Sequence, residues 1–252
     1  MKISLQDQVI LLTGASRGIG KGIALLLKQT QATVAVHYGR SKGSAEALAS
    51  EIGNGSLAFQ ADLSQPRAAR QLAQDVMTHY GRVDGLINNA GIAFEMEEEG
   101  DFDLWVDQWQ QTLHVNLLAA AVLCRELVPH FVQHGGGRMV HISSRAAFRG
   151  DTTAYMAYAA SKGGMVSLSR SIARGYGKQG IKSFVVAPGF IQTDMAQQFI
   201  DVYGEQFVLD DLALDTLTQP KDLAPTVIFL LSGWMDHATG CTIDVNAGSY
   251  VH

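Results

Sequence analysis

The sequence predicts one α/β domain built on a doubly wound parallel sheet of about seven strands with helices on both faces. Three observations lead there. Short β-rich runs alternate with longer stretches of helical periodicity along all 252 residues. The strand runs are apolar almost throughout, as in strands covered on both faces. A glycine-rich turn joins the first strand to the first helix. Right-handed crossovers then set helices on either side of one sheet.

The elements follow in order. Val9–Thr13 reads as a strand, and Lys21–Thr30 carries apolar residues at helical spacing. Val34–Tyr38 is a strand, Ser44–Ile52 a helix and Ser56–Gln60 a strand. Pro66–Tyr80 is a helix, since Ser64 and Pro66 mark a helix start. Val83–Asn88 is a strand, Leu104–Val128 a long helix and Arg138–Ile142 a strand. Thr153–Gly175 is a helix, Lys182–Ala187 a strand, Asp222–Leu231 a helix and Cys241–Val245 the last strand. No repeat or linker interrupts the series, so residues 1–252 read as a single domain. Two stretches break the rhythm: the acidic run 95–103 and the segment 192–219. Both follow strands, where ligands sit in doubly wound sheets, and 192–219 is long enough for a substrate lid.

Composition narrows the function. Hydrophobic residues make up 47% and charged residues 17% of the chain, a globular balance. The net charge of −5 gives no electrostatic footprint for nucleic acid. No secretory leader and no apolar run of membrane-spanning length is expected. Cys124 and Cys241 lie far apart in apolar surroundings, read as buried free thiols in a reducing, cytoplasmic compartment. His130 and His134 are spaced i,i+4 but lack a third ligand, so no metal is expected.

Thr13-Gly14-Ala15-Ser16-Arg17-Gly18-Ile19-Gly20 directly follows the first strand and opens the first helix. Gly14 permits a tight turn, Gly18 lets backbone approach a pyrophosphate, and Gly20 lets helix and strand pack closely. The helix N-terminus turns free N–H groups and a positive dipole end to phosphate. This is the context that a dinucleotide-binding (Rossmann) turn requires.

The glycine spacing, G-x-x-x-G-x-G, resembles that of the short-chain dehydrogenase/reductase family, and the likeness runs along nearly the whole chain. Asp62-Leu63 resembles the adenine-binding pair. Asn88-Asn89-Ala90-Gly91 resembles the motif ending the fourth strand, and Asn116 the helix asparagine. Ser143-Ser144, Tyr158-Ala159-Ala160-Ser161-Lys162 and Pro188–Thr193 resemble the remaining signatures, in family order. The 3-oxoacyl-acyl-carrier-protein reductase branch is the most similar in pattern. The resemblance implies hydride transfer between a nicotinamide dinucleotide and a carbonyl or alcohol, from the pro-S face of the ring. It also implies a homo-oligomer, a tetramer or dimer, built on long helices.

The end of the second strand bears on the cofactor. An acid there would bind a ribose 2′-hydroxyl and repel a 2′-phosphate. Here Tyr38 takes that place. Arg17, Arg40 and Ser41 can reach toward a phosphate, and arginine binds phosphate through a planar fork. NADP(H) is therefore expected.

Tyr158 and Lys162 are i,i+4 and share a helix face. A nearby ammonium is expected to lower the tyrosine pKa from near 10. Tyr158 would then protonate a carbonyl oxygen while Ser144 donates a hydrogen bond to it. Ser144 is chosen over Ser143, and Tyr155 is set aside because its i+4 residue is Ala159. By resemblance, Asn116 bends its helix and holds a water leading to Lys162, and Lys162 also holds the nicotinamide ribose. Pro188 and Gly189 would lie at the nicotinamide, with Ile191 and Thr193 at its carboxamide and the phosphates. A non-catalytic NADPH-binding regulator is the competing class, and the retained tetrad argues against it.

Substrate signals are thinner. The lid segment carries Asp201, Glu205, Asp210, Asp211 and Asp215 with no basic residue between Met195 and Pro220. Gly135 and Gln179 stand near where carrier-protein reductases place arginines. Acidic rims disfavour an acidic carrier protein, so a small carbonyl or hydroxyl compound is expected, and an anionic one is expected to be repelled.

Overall fold

The computed structural model of the chain describes residues 3–97, 99–193, 196, 200 and 204–251. Seven strands form one parallel sheet in the order β3-β2-β1-β4-β5-β6-β7. They are β1 Val9–Leu12, β2 Thr33–Tyr38, β3 Leu57–Gln60, β4 Gly85–Asn88, β5 Gly137–Ile142, β6 Ile181–Pro188 and β7 Thr242–Val245. The expected doubly wound sheet is therefore present. Strand order reverses between β1 and β4, which opens a crevice at their carboxyl ends.

Alternation along each strand divides the core in two. Ile10 and Leu12 face one layer with Val34, Val36 and Phe184. Helices α1 Gly18–Gln29, α2 Lys42–Ile52 and α9 Pro220–Leu231 cover that face, contributing Ile23, Leu48 and Val227. Leu11 and Leu86 face the other layer. There α3 Pro66–Tyr80, α5 Ala119–Gln133 and α7 Met156–Tyr176 supply Leu72, Leu123 and Ile172.

Boundaries moved where side chains and caps decide them. The glycine turn is already helical at Gly18. Two short helices, α6 Ala146–Arg149 and α8 Glu205–Leu209, lack the length for a periodic signal. The expected helix 104–128 is longer and broken. Asp101 caps the Leu104 N–H and starts α4 at Phe102–Leu113. A π turn occupies His114–Leu118, and α5 continues to Gln133 past Pro129. Together these make a 32-residue helix apolar enough by composition to cross a membrane, correcting the expectation that none exists. Its buried residues Leu123, Leu127 and Phe131 pack into the second core layer instead. Cys124 is buried and Cys241 only partly so; neither is in a disulfide. His130 is no free helix end: its Nε2 accepts the Val83 N–H at 2.9 Å.

Two histidines are built into the sheet. His37 accepts the Gly14 N–H on Nδ1 at 3.0 Å, so Nε2 carries the proton and donates to the Ala61 carbonyl at 3.1 Å. His141 pairs with Asn88 at 3.2 Å and with Ser183 at 3.2 Å, and Ser183 bonds Ser169 at 2.8 Å. Burial pushes both imidazoles down to about 4, with the Lys162 charge adding to the effect at His141. In the unfolded chain they take up protons near pH 6.5. The folded state refuses those protons, so stability is full above about pH 6.5 and falls as pH drops toward 4. Each histidine contributes a slope of about 1.4 kcal/mol per pH unit in that window. Urea unfolding of His141→Asn between pH 6.5 and 4.5 should show a slope shallower than wild type by about that amount; an unchanged slope would refute the buried neutral imidazole.

Packing gives a second expectation. A Cβ added at Gly137 would lie 2.4 Å from the Phe131 ring. Phe131→Ala should cost about 3–5 kcal/mol, and Gly137→Ala should also destabilise. Combined, they should cost less than their sum, because the new methyl enters the vacated space. Additive denaturation free energies would show that the two positions do not share that space.

Candidate active site

The Thr13 hydroxyl ties the ends of β1 and β4 together at the crevice. Thr13 Oγ1 donates to the Ile87 carbonyl and accepts the N–H groups of Asn89 and Ala90 at 2.9 and 3.0 Å. Asn89 Nδ2 returns two bonds, to the carbonyls of Thr13 and Gly14. The glycine turn sits tightly on this frame. A Cβ at Gly14 would lie 2.8 Å from Ala90 Cα, and one at Gly20 2.3 Å from the Gly14 carbonyl oxygen. Gly14 and Gly18 have φ of 63° and 52°, so the turn itself requires glycine. No side chain caps the start of α1, where Arg17 is the N-cap residue. Its first-turn N–H groups are left for an anion. Ser16 and Ile19 flank this turn, both half-buried. These residues fit the pyrophosphate of a dinucleotide.

At the adenosine end, the structure separates the expected residues. Tyr38 is 8% exposed and packs into the core, so it contributes chiefly by not being a carboxylate. Arg17, Arg40 and Ser41 are exposed. Leu63 is buried, and Asp62 is exposed with its carboxylate held by the Ser64 hydroxyl and N–H at 2.8 and 3.0 Å. Those two bonds, and more weakly the charge of Arg40, hold Asp62 below the usual carboxylate range. His37 joins this end to the phosphate turn, bridging Gly14 and Ala61.

Across the crevice, Asn116 lies in the π turn and is fully buried. Its side chain is clamped on both ends: Oδ1 accepts the Ile92 N–H at 2.8 Å, and Nδ2 donates to the Ile92 carbonyl and the Ser161 hydroxyl. Ser161 in turn donates to the Tyr158 carbonyl at 2.7 Å. The loop after β4 is thereby fastened to α7. A Cβ at Gly91 would stand 3.4 Å from both Asn116 Oδ1 and Lys162 Nζ, so Gly91 keeps this junction compact.

Tyr158 and Lys162 share the inward face of α7, as their spacing predicts. Tyr158 bonds the side chain of Ser144, which follows β5. Ser143 points elsewhere and donates to the Lys162 carbonyl at 2.9 Å. Lys162 Nζ donates to the Ile142 carbonyl at 2.8 Å and stands 5.6 Å from the centre of the Tyr158 ring. Burial pushes Tyr158 up to about 12, against the pull of its bond to Ser144, and the Asp151 charge adds to the rise. Burial also brings Lys162 down to about 8. The expected lowering of Tyr158 is therefore corrected: burial raises the phenol instead. What results is a phenol that keeps its proton at neutral pH, beside a hydroxyl that shares it.

The end of β6 completes the pocket. Pro188 and Ile191 are buried, and Gly189 packs on Asn246, 2.8 Å from Asn246 Cβ to an added Cβ. Ile191 bridges to Thr218. Thr193 leans on the glycine turn, with Cγ2 3.2 Å from a Cβ built on Gly18. The lid expected at 192–219 is described in part; Asp194, Met195, Gln197, Gln198, Phe199, Asp201, Val202 and Tyr203 lie outside the described residues, as does Glu98 of the acidic run. Within the described part, Asp211 does not stand on an open acidic rim. It is held by Arg145 at 2.6 Å and Arg149 at 3.1 Å. Tyr155 is half-buried at the start of α7. Among the described residues, no group of three histidine, cysteine or carboxylate side chains could hold a metal.

Sequence reasoning missed Thr13, His37, Ser161 and the Arg145–Asp211 pair as site residues. Thr13 and Ser161 stood inside quoted motifs. The rest act through partners far away in sequence, and only the fold brings them together.

The chain is similar to known proteins along nearly its whole length. The family model described as enoyl-(acyl carrier protein) reductase matches residues 14–250. The 3-oxoacyl-[acyl-carrier-protein] reductase FabG of Staphylococcus epidermidis is 34% identical, covering 96% of this chain and 98% of its own. An L-rhamnose 1-dehydrogenase (NAD(P)(+)) from a Sphingomonas species is 32% identical, covering 98% of each. A dehydrogenase/reductase structure from Sinorhizobium meliloti superposes with a TM-score of 0.88 at 29% identity, covering 99% and 98% of the two chains. A Brucella melitensis structure described as a ribose-5-phosphate isomerase has the same TM-score at 27% identity, covering 97% and 92%. The chain belongs to the short-chain dehydrogenase/reductase family of oxidoreductases.

Proposed function

We propose that this oxidoreductase moves a hydride between NADP(H) and a carbonyl or secondary alcohol of a small substrate. The observation that carries the reading is the Tyr158–Ser144 hydrogen bond, set beside buried Lys162. The bound nicotinamide supplies or accepts the hydride. The chain's residues do the rest. In reduction, Tyr158 gives its proton to the carbonyl oxygen, and Ser144 donates a hydrogen bond to that oxygen as charge develops on it. A phenol held protonated suits this direction. Lys162 would hold the nicotinamide ribose and keep a positive charge beside Tyr158. Asn116 spends its side chain on Ile92 and Ser161, so any water it holds must rest on its main chain.

The dinucleotide would lie along Gly14, Ser16, Arg17, Gly18, Ile19 and Gly20, with Asn89, Ala90 and Gly91 opposite. Its adenosine would meet Asp62 and Leu63, and its nicotinamide end Pro188, Gly189, Ile191 and Thr193. Arg17, Arg40 and Ser41, with no acid at the end of β2, favour the 2′-phosphate of NADP. We read the chain as one domain with a lid over 192–219, working in the cytoplasm as a homotetramer. The long helix favours such pairing: Phe102 stacks on Trp105 yet is 73% exposed, and Leu118 and Val132 are exposed beyond it.

A second reading, reduction of a carrier-bound 3-oxoacyl group, is favoured by the activity of the staphylococcal relatives. A small polyol or sugar-like substrate is favoured by the Sphingomonas relative and by the lack of basic residues between Met195 and Pro220. Turnover of acetoacetyl thioesters against a panel of ketones, diketones and sugars separates them.

Tyr158→Phe should lower kcat by about 10²–10⁴-fold while NADPH binding, followed by nicotinamide fluorescence, stays intact. Unchanged turnover would point to the non-catalytic NADPH-binding regulator or to another acid. Arg40→Ala should raise the KM for NADPH by about tenfold or more and leave that for NADH unchanged. Equal effects on both cofactors would contradict the 2′-phosphate assignment.

A further inference from the structure

Arg145 directly follows Ser144, and its main-chain N–H donates to the Pro188 carbonyl at 2.9 Å. It therefore stands between the Ser144–Tyr158 pair and the end of β6. Its side chain is 8% exposed, unusual for an arginine. The guanidinium lies 5.0 Å from the centre of the Phe190 ring and meets the Asp211 carboxylate at 2.6 Å. Arg149 reaches the same carboxylate at 3.1 Å. Two guanidiniums share one carboxylate. Asp151 acts on both Arg145 and Tyr158 through its charge.

Burying an arginine beside a reaction centre is costly unless a charged partner meets it. A tie between lid and scaffold is already supplied by Arg149, which is more exposed. Arg145 adds what a surface tie does not need: a planar fork, supported by an aromatic ring, on the residue that directly follows Ser144. Such a fork matches a carboxylate in two-point geometry.

We propose that Arg145 is the specificity-determining residue, recognising a carboxylate carried by the substrate near its reacting carbonyl, and that Asp211 occupies this place until the substrate displaces it. This rests on the hydride-transfer reading for what the substrate undergoes, but not for the anion site itself. It reverses the expectation that anions are repelled, because the lid acid that meets Arg145 is a stand-in for the ligand and not an open rim.

The test is calorimetric titration of the full chain with sodium malonate at constant ionic strength, with malonamide as the neutral control. Asp211→Asn should bind malonate about tenfold or more tightly than wild type, since the competing anion is gone. Arg145→Gln in the Asp211→Asn background should lose that binding, and malonamide should bind to none. If Asp211→Asn lowers the melting temperature yet leaves malonate affinity unchanged, Arg145 is a structural tie and the proposal is overturned. It is equally overturned if the double variant binds malonate as the single one does. Turnover is read separately, with a β-keto acid and its methyl ester in the presence of NADPH. Malonate binding as expected, with neither carbonyl compound nor any ketone of the panel reduced, would keep the anion site and sink the hydride-transfer reading. A wild-type KM for the acid at or above that for the ester, with both reduced, would overturn the anion assignment alone.

Discussion

The Thr13 hydroxyl is where this fold and its site are joined. Strand order reverses between β1 and β4, so the two strands lead to opposite helix layers and a crevice opens at their carboxyl ends. One oxygen bridges the strand ends, donating to Ile87 and accepting from Asn89 and Ala90. The glycine turn then rests on Asn89 and Ala90 on one side, and Gly91 leads to Asn116 and Lys162 on the other. Thr13 is 1% exposed, so no water competes for these bonds.

Electrostatics in the site are governed by burial more than by pairing. Tyr158 and Lys162 lie close enough for a cation–π contact, yet desolvation is the largest influence on each, raising the phenol and lowering the amine. The ammonium spends a donor on the Ile142 carbonyl instead of the phenol oxygen. An arrangement of this kind stores a proton on tyrosine and a positive charge beside it. The same low-dielectric surroundings keep His37 and His141 neutral, and that neutrality lets each imidazole accept on one nitrogen and donate on the other.

Local signals carried much of this from the sequence alone. Apolar runs gave seven strands, and the glycine turn stood between a strand and a helix. The i,i+4 spacing of Tyr158 and Lys162 survived because a helix face is a local property. Other features were hidden for physical reasons. His37 reads as one more strand residue until the strand places it under Gly14. Asn116 bonds Ile92 and Ser161, 24 and 45 positions away, and the π turn around it has no compositional mark. Asp211 reads as part of an acidic lid because its partners Arg145 and Arg149 lie more than sixty positions earlier. Phe102–Gln133 is long and apolar enough by composition to cross a membrane, but Leu123, Leu127 and Phe131 pack it into the second core layer.

The central claim is that the pocket formed by Ser144, Tyr158 and Lys162 directs hydride transfer from one face of the nicotinamide. The most direct measurement is the fate of deuterium from NADPH labelled at the pro-S position of C4, followed by mass spectrometry during reduction of an accepted ketone. The account predicts one deuterium at the carbinol carbon of the product and an unlabelled oxidised cofactor. Label retained in the oxidised cofactor, with an unlabelled alcohol, would contradict the proposed placement of substrate between the Tyr158–Ser144 pair and a nicotinamide at the end of β6.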